Sequence, residues 1–321
     1  MEFALTLFPQ VLVDGLVLGF MYALIALGYT MVYGVLQFIN FAHSEIFVTG
    51  AFVGGEILLG FQSAGVLAGI PSWVLLPILV IAGMTASGFL AVVVERIAYR
   101  PLRNAPRLVP LLSAIGVSFV LQDAIRFMES IWRNAFYLTY PPLQGLDRRI
   151  QIGSTFDISV KSLVVIGSSI LMLAALSFLV NKTKMGRAIR AVAQDPQTAS
   201  LMGVDVNQVV SLTFLIGGAM GGAAGVLFGI QYTLISPYTG FVPGIKAFTA
   251  AVLGGIGNIP GAMVGGLVLG LLESFSASYL SLLTGGAFGA EYKDIFSFLI
   301  LILILILRPK GLLGEVVGEK A

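Results

Sequence analysis

Between Val11 and Val32 the chain carries a single charged side chain, Asp14. That run suffices to cross a bilayer, since ~30 Å of hydrocarbon needs about 20 apolar residues in a helix. Similar runs recur at Trp73–Val94, Leu108–Phe127, Leu163–Val180, Val209–Leu234 and Ala262–Tyr279. Lipid offers the backbone no hydrogen-bond partners, so each run reads as a helix. Only 11% of the 321 residues are charged, against about 25% in a soluble domain. These features predict an all-α polytopic membrane protein, one domain over residues 1–321, with an external loop at 128–160. The first run lacks a preceding basic segment and is long enough to span, so it is expected to remain as a membrane helix.

Three pieces fit less easily. Ile46–Leu59 is short for a span and contains Glu56. Before it, Leu36–Glu45 interrupts the apolar pattern with Asn40, His43, Ser44 and Glu45. Asn40 or Ser44 is placed to cap a new helix, with Glu45 in its first turn. The same break fits either a plain turn or a discontinuous transporter helix. Phe241–Val252 is also short and ends in a glycine run containing Gly254, Gly255, Gly257, Asn258 and Pro260. It is read as a half-helix or a tilted crossing, and Lys246 within it points to a cavity or an interfacial position. Finally, Ile295–Leu307 must begin earlier, near Ala287–Lys293, to span fully. The total is eight or nine transmembrane helices with broken or re-entrant segments.

Orientation follows from basic residues. Arg96, Arg100, Arg103 and Arg107 cluster in one connection, and Lys182, Lys184, Arg187 and Arg190 in another. Two spans separate these clusters, so both are expected on the cytoplasmic side, with the basic C-terminal tail. The N-terminus then lies outside.

The second cluster opens a polar island, residues 182–207, between two spans. Asp195 is a good N-cap, Pro196 suits the first helical position, and Gly203 suits a left-handed helix end. Asp205 is then free to cap the next helix. Asp195, Ala199 and Gly203 recur every fourth residue, so one face of the short helix is small. This describes either a docking knob for another protein or an ordinary capped turn.

Several chemistries are excluded. The chain has no cysteine, hence no disulfide or thiolate site, and His43 is the only histidine, so no histidine-based zinc cluster exists. No phosphate-binding Gly-x-x-x-x-Gly-Lys loop is present. Asp14, Glu56 and Asp123 fall near span ends, and no acid is read at a midplane, which weighs against proton coupling. What remains is a polytopic membrane protein, not expected to be an enzyme, with broken helices, no energy source of its own and a capped knob on the cytoplasmic side. That combination fits a transporter worked by an external motor, or a membrane scaffold.

The segments LGYTMVYGVLQFINFAHSEIF (27–47), GRAIRAVAQDPQTASLMGVD (186–205) and YTGFVPGIKAFTAAVLGGIGNIPGAMVGGLVLG (238–270) resemble the permeases of ABC importers for branched-chain amino acids, most closely the H-type subunit. The family usually has glycine where Ser44 stands. The resemblance implies that Asp195, Pro196, Ala199, Ser200 and Gly203 form a coupling helix for partner ATPases. Ala199 and Gly203 would match the second Ala and the Gly of the importer Glu-Ala-Ala…Gly motif, while its Glu position is unmatched. Asn40, His43, Glu45, Gly254, Gly255, Gly257, Asn258 and Pro260 are candidates for the pathway. The resemblance further implies a multi-pass plasma-membrane location, a second, M-type permease, two cytoplasmic ATPases, an external solute-binding protein and lipid. No nucleic-acid partner and no cofactor of the chain's own are implied, ATP being used by the partners. Branched-chain amino acids are the implied cargo. Urea, short amides or sugars, or an ion-coupled secondary transporter, are the alternatives.

Overall fold

A computed structural model describes residues 2–103, 105–106, 108–152 and 156–314. Arg107 and Lys320, from the basic clusters above, lie outside the described residues. In chain order the helices are α1 (Glu2–Leu36), α2 (His43–Ser63), α3 (Ser72–Val94), α4 (Leu108–Arg133), α5 (Val160–Lys182), α6 (Lys184–Gln194), α7 (Pro196–Leu201), α8 (Val206–Tyr232), α9 (Phe241–Gly254), α10 (Ile259–Leu283) and α11 (Lys293–Leu307). Among the described residues seven helices are long and apolar enough to cross a membrane: α1 to α5, α8 and α10. Helices α9 and α11, of 14 and 15 residues, fall short of that length.

Glycine makes the central packing possible. Where α2, α3 and α8 cross, Gly222 lies against the backbones of Gly50 and Gly83, and any side chain there would strike main chain. Apolar side chains gain little by leaving lipid, so close backbone approach supplies much of the association. Helix α10 runs antiparallel to α1, with Gly15 against Leu271 and Ser274, Gly19 against Leu267, and Gly266 against Ala23.

The bundle has two distinct ends. One carries the hairpin of β2 (Arg149–Ile152) and β3 (Phe156–Ser159), paired Ile150↔Ile158, within the expected external loop. Here Gln10 accepts a hydrogen bond from the Asp157 amide. A short bridge, β1 (Leu138–Thr139) with β4 (Leu234–Ile235), packs Leu138 onto Gly55 of α2. The opposite end holds the end of α1, the turn between α9 and α10, α6 and α7, and residues 308–314. There Gly34 faces Gly257, and the amides of Leu312 and Leu313 donate to the carbonyls of Leu253 and Gly254. The described basic residues of all three clusters share this second end.

Four expectations are corrected. Helix α2 begins at His43 and is long enough to span, because the polar residues before Ile46 are helical rather than a linker. No side chain caps it: Ala42 occupies the N-cap, and Ser44 Oγ instead donates to the Phe41 carbonyl at 2.8 Å. Helix α11 starts at Lys293, within the expected interval, but a 3₁₀ turn at Ala290–Tyr292 precedes it and its 15 residues stay short of a full span. The glycine run is a tight helical hairpin at the bundle end, not irregular backbone at membrane depth. Gly255 ends α9 at φ 101° and Asn258 caps α10, its Oδ1 accepting from the Gly261 amide at 2.9 Å.

Candidate coupling surface and polar seam

The polar island folds as two short helices. Thr183 caps α6, its Oγ1 accepting from the Gly186 amide at 3.0 Å, and Gly186 rests on the carbonyls of Leu179 and Val180. Arg190 donates to the Val180 carbonyl, closing the α5–α6 corner. Ile189 and Val192 are buried, whereas Lys184, Arg187 and Arg190 face outward. This amphipathic helix was readable from the three- and four-residue spacing of Met185, Ile189, Val192 and Ala193, yet the basic cluster was read only as a topological marker.

Helix α7 follows the expected punctuation. Asp195 Oδ1 accepts from the amides of Gln197 (2.9 Å) and Thr198 (3.2 Å), and Pro196 opens the helix. Gly203 ends it at φ 86°, and Asp205 caps α8 through the Gln208 amide at 3.0 Å. The small face, however, is split: Ala199 looks inward, whereas Gly203 is exposed. Ala199 is buried in the apolar cluster that also holds Val209 and Val210, while Pro196, Gln197, Ser200, Leu201 and Met202 form the exposed side. Leu201 is 88% exposed and Met202 81%. Ala199 and Gly203 thus seat and end the turn, and an apolar tip projects from it.

This surface is joined to the bundle. The chain continues from α3 as a π-turn, Glu95–Tyr99, which carries Glu95 into the interior. There Glu95 pairs with Arg103 and accepts from Ser211 Oγ of α8 at 2.6 Å. Arg103 also donates to Asn207, at the start of α8, at 2.8 Å. A cleft of about 530 Å³ lies alongside, lined in part by Phe38, Tyr99, Arg103, Pro196 and Asn207.

The polar break between α1 and α2 turns back into the bundle. Gln37, at φ 55°, ends α1. Helix α2 then starts beside Gly28, about 12 Å before the end of α1 at 1.5 Å per residue. Helix α9 starts at the same place: Gly240 abuts the Ser44 carbonyl and Gly244 abuts Ser44 Cβ. From there α2 runs to the hairpin end and α9 to the opposite end. Two helix N-termini therefore meet inside the bundle. Backbone this irregular is tolerated in a membrane when protein covers it.

The seam residues diverge in their surroundings. His43 is enclosed by Gly28 and Gly221, its ring edge-on to Tyr29 with centroids 4.6 Å apart. Asn40 Oδ1 accepts from the Tyr99 hydroxyl at 2.7 Å. Glu45 Oε1 accepts from Ser118 Oγ of α4 at 3.2 Å and, weakly, from Ser44 Oγ at 3.5 Å. Burial of Asn40, His43 and Glu45 excludes a solvent-facing turn. The Gly254–Pro260 group lies at the bundle end, where Ile256 shares a small cavity with Asn40, Tyr29 and Tyr33.

A fourth cluster escaped the sequence reading. Glu273 of α10 is 3% exposed; its Oε1 lies 2.8 Å from Lys246 Nζ and 2.9 Å from Lys293 Nζ. Lys246 also pairs with Asp294 at 2.8 Å. Lys246 is therefore buried in an ion-paired network that reaches half-exposed Lys293 and Asp294. Glu45 and Glu273 are buried acids within apolar helices, which the acids near span ends, Asp14, Glu56 and Asp123, did not foreshadow. The glutamate was visible in Ala262–Tyr279, but only its lysine partners, far away in sequence, mark it as significant.

A multi-pass helical bundle with buried polar groups at an interior helix break, and a rigidly seated turn projecting from one end, has the makings of the membrane-spanning part of a transporter. Residues 11–305 match the family described as the permease component of branched-chain amino acid transport systems. The chain belongs to that family and is a transporter permease component rather than an enzyme. It is 42% identical over 315 residues to the high-affinity branched-chain amino acid transport system permease protein LivH of Escherichia coli K12, covering 98% of this chain and 97% of that one. Similarity to the corresponding BraD protein of Pseudomonas aeruginosa is 41% over 317 residues, with 97% of each chain covered. No solved structure matches.

Proposed function

We propose that this chain is one membrane subunit of an ATP-driven importer for branched-chain amino acids. It would pair with a second, M-type permease, two cytoplasmic ATPases and an external solute-binding protein. In this reading the chain binds no cofactor, and ATP is used by the partners. The end bearing the three basic clusters faces the cytoplasm by the positive-inside rule, placing the N-terminus outside and the C-terminus inside the plasma membrane.

The projecting turn at Asp195–Gly203 carries the reading. Leu201 and Met202 offer an apolar tip to a soluble partner, and the Asp205 cap passes its movement into α8. Because α8 packs against α1, α2 and α3, a push on α7 reaches the seam where α2 and α9 begin. Alternating access then amounts to a tilt of these helices between two packings. Family membership supports the cargo, and the absence of a nucleotide loop supports external energy.

A cysteine replacing exposed Ser200 tests the docking role. In the assembled transporter, a short bifunctional maleimide is expected to cross-link it to an ATPase subunit carrying cysteines on its membrane-facing surface. Cross-linking only to external components would overturn the proposal.

A further inference from the structure

We propose that Glu45 is the subsite that receives the primary ammonium of the transported amino acid, with α4 as its cover. The inference rests on the reading of the chain as an amino-acid permease and deepens it.

Glu45 is fully buried, yet no cation lies against it among the described residues. Its polar partners are the hydroxyls of Ser118 and Ser44, both on Oε1; Oε2 is buried without a hydrogen-bond partner. Glu95 is matched by Arg103, and Glu273 by Lys246 and Lys293. Glu129 of α4, with one unpartnered oxygen of its own, lacks the serine hydroxyls and the two helix N-termini that surround Glu45. A carboxyl group held in a span without a partner is costly and marks a functional position. The N-termini of α2 and α9, which meet at Ser44, favour negative charge there. A primary ammonium supplies both the missing charge and a hydrogen-bond donor for Oε2.

The cover is α4. Only Pro110, Ala114 and Glu129 are buried along it. Its side-chain ties to the bundle include the Ser118–Glu45 hydrogen bond, Arg126 with Tyr238, and Arg133 with Glu56. Helix α4 follows directly on the connection that carries Arg103, which is bonded to Asn207 beside the coupling surface. Movement there is passed to the helix that closes over Glu45. A neutral sugar or urea has no ammonium for this carboxylate, so the site selects zwitterions.

The test uses the complete transporter in proteoliposomes. Glu45→Gln is expected to lower leucine uptake at least tenfold while basal ATP hydrolysis persists, and Glu45→Asp to retain most uptake. Parental uptake in Glu45→Gln overturns the proposal. A second arm is independent of transport. Cysteine at Ser118, beside an intact Glu45, should react at least tenfold faster with a cationic thiosulfonate reagent than with an anionic one. That preference should collapse when Glu45→Gln is added. Equal rates with both reagents overturn the site even if Glu45→Gln fails to assemble. Failure of the parent to take up leucine, with the charge preference intact, would instead count against the assigned cargo.

Discussion

Tyr22 of α1 and Glu273 of α10, 251 residues apart, are joined by a 2.7 Å hydrogen bond from the tyrosine hydroxyl to Oε2. The other carboxylate oxygen takes the ammonium groups of Lys246 and Lys293, and Lys246 reaches on to Asp294. Two lysines and two acids balance one another, and four helices are pinned at one point. The two short helices, α9 and α11, both supply charges to it. Removing one partner of a buried ion pair costs about 3–5 kcal/mol, because the other charge is left uncompensated. Glu273→Gln is therefore expected to lower the unfolding midpoint of the detergent-purified protein by several degrees. Lys246→Met combined with Glu273→Leu should cost less than the sum of the two single changes. An unchanged midpoint in Glu273→Gln would show that the network does not hold the helices.

Gly203 is left-handed at φ 86°, with open space where a side chain would stand. Strain, not collision, is the obstacle to substitution. A bulky residue there costs about 1–3 kcal/mol, enough to distort the end of α7 without preventing insertion. Gly203→Val is expected to uncouple ATP hydrolysis from uptake at normal membrane levels. Gly203→Asn, which tolerates this conformation, should stay close to parental activity. Parental uptake in Gly203→Val would contradict the role of the turn.

Leu201 and Met202 project with no cover from their own chain. Burying such side chains in a partner contributes about 1.5–3 kcal/mol each. Replacing both by serine is expected to weaken ATPase binding at least tenfold, about 1.4 kcal/mol, as read by co-purification over an ATPase titration. Retained affinity would move the docking surface away from α7.

Gly222 and Gly116 offer a contrast within one protein. A methyl group on Gly222 would meet the Gly83 backbone, whereas one on Gly116 meets nothing within 4 Å. Gly222→Val should abolish accumulation of folded protein. Gly116→Ala should be neutral or slightly stabilising, as Gly-to-Ala exchange in a helix gains roughly 0.5–1 kcal/mol. Yields by fluorescence-detected size exclusion check both.

Much of this architecture was legible in local sequence. The long apolar runs, the Asp195 cap and the Gly203 turn depend on neighbours a few residues away, and each formed as the spacing required. What local pattern does not carry is which way a short helix faces. The spacing of Asp195, Ala199 and Gly203 described a small face, but Ala199 is buried in the bundle while Gly203 stays exposed. Depth is equally non-local. His43 and Glu45 look like turn residues until Gly28 and Gly221 leave room for α2 to begin inside the bundle. Glu273 was passed over for the same reason, since its lysines come from α9 and from the start of α11.

Reconstitution with radiolabelled leucine tests the central claim most directly. Vesicles holding this permease, its M-type partner and the ATPases, supplied with binding protein outside and ATP within, should accumulate leucine. Vesicles holding this chain alone should stay at background under any proton or sodium gradient. Gradient-driven uptake by the lone chain would contradict the account.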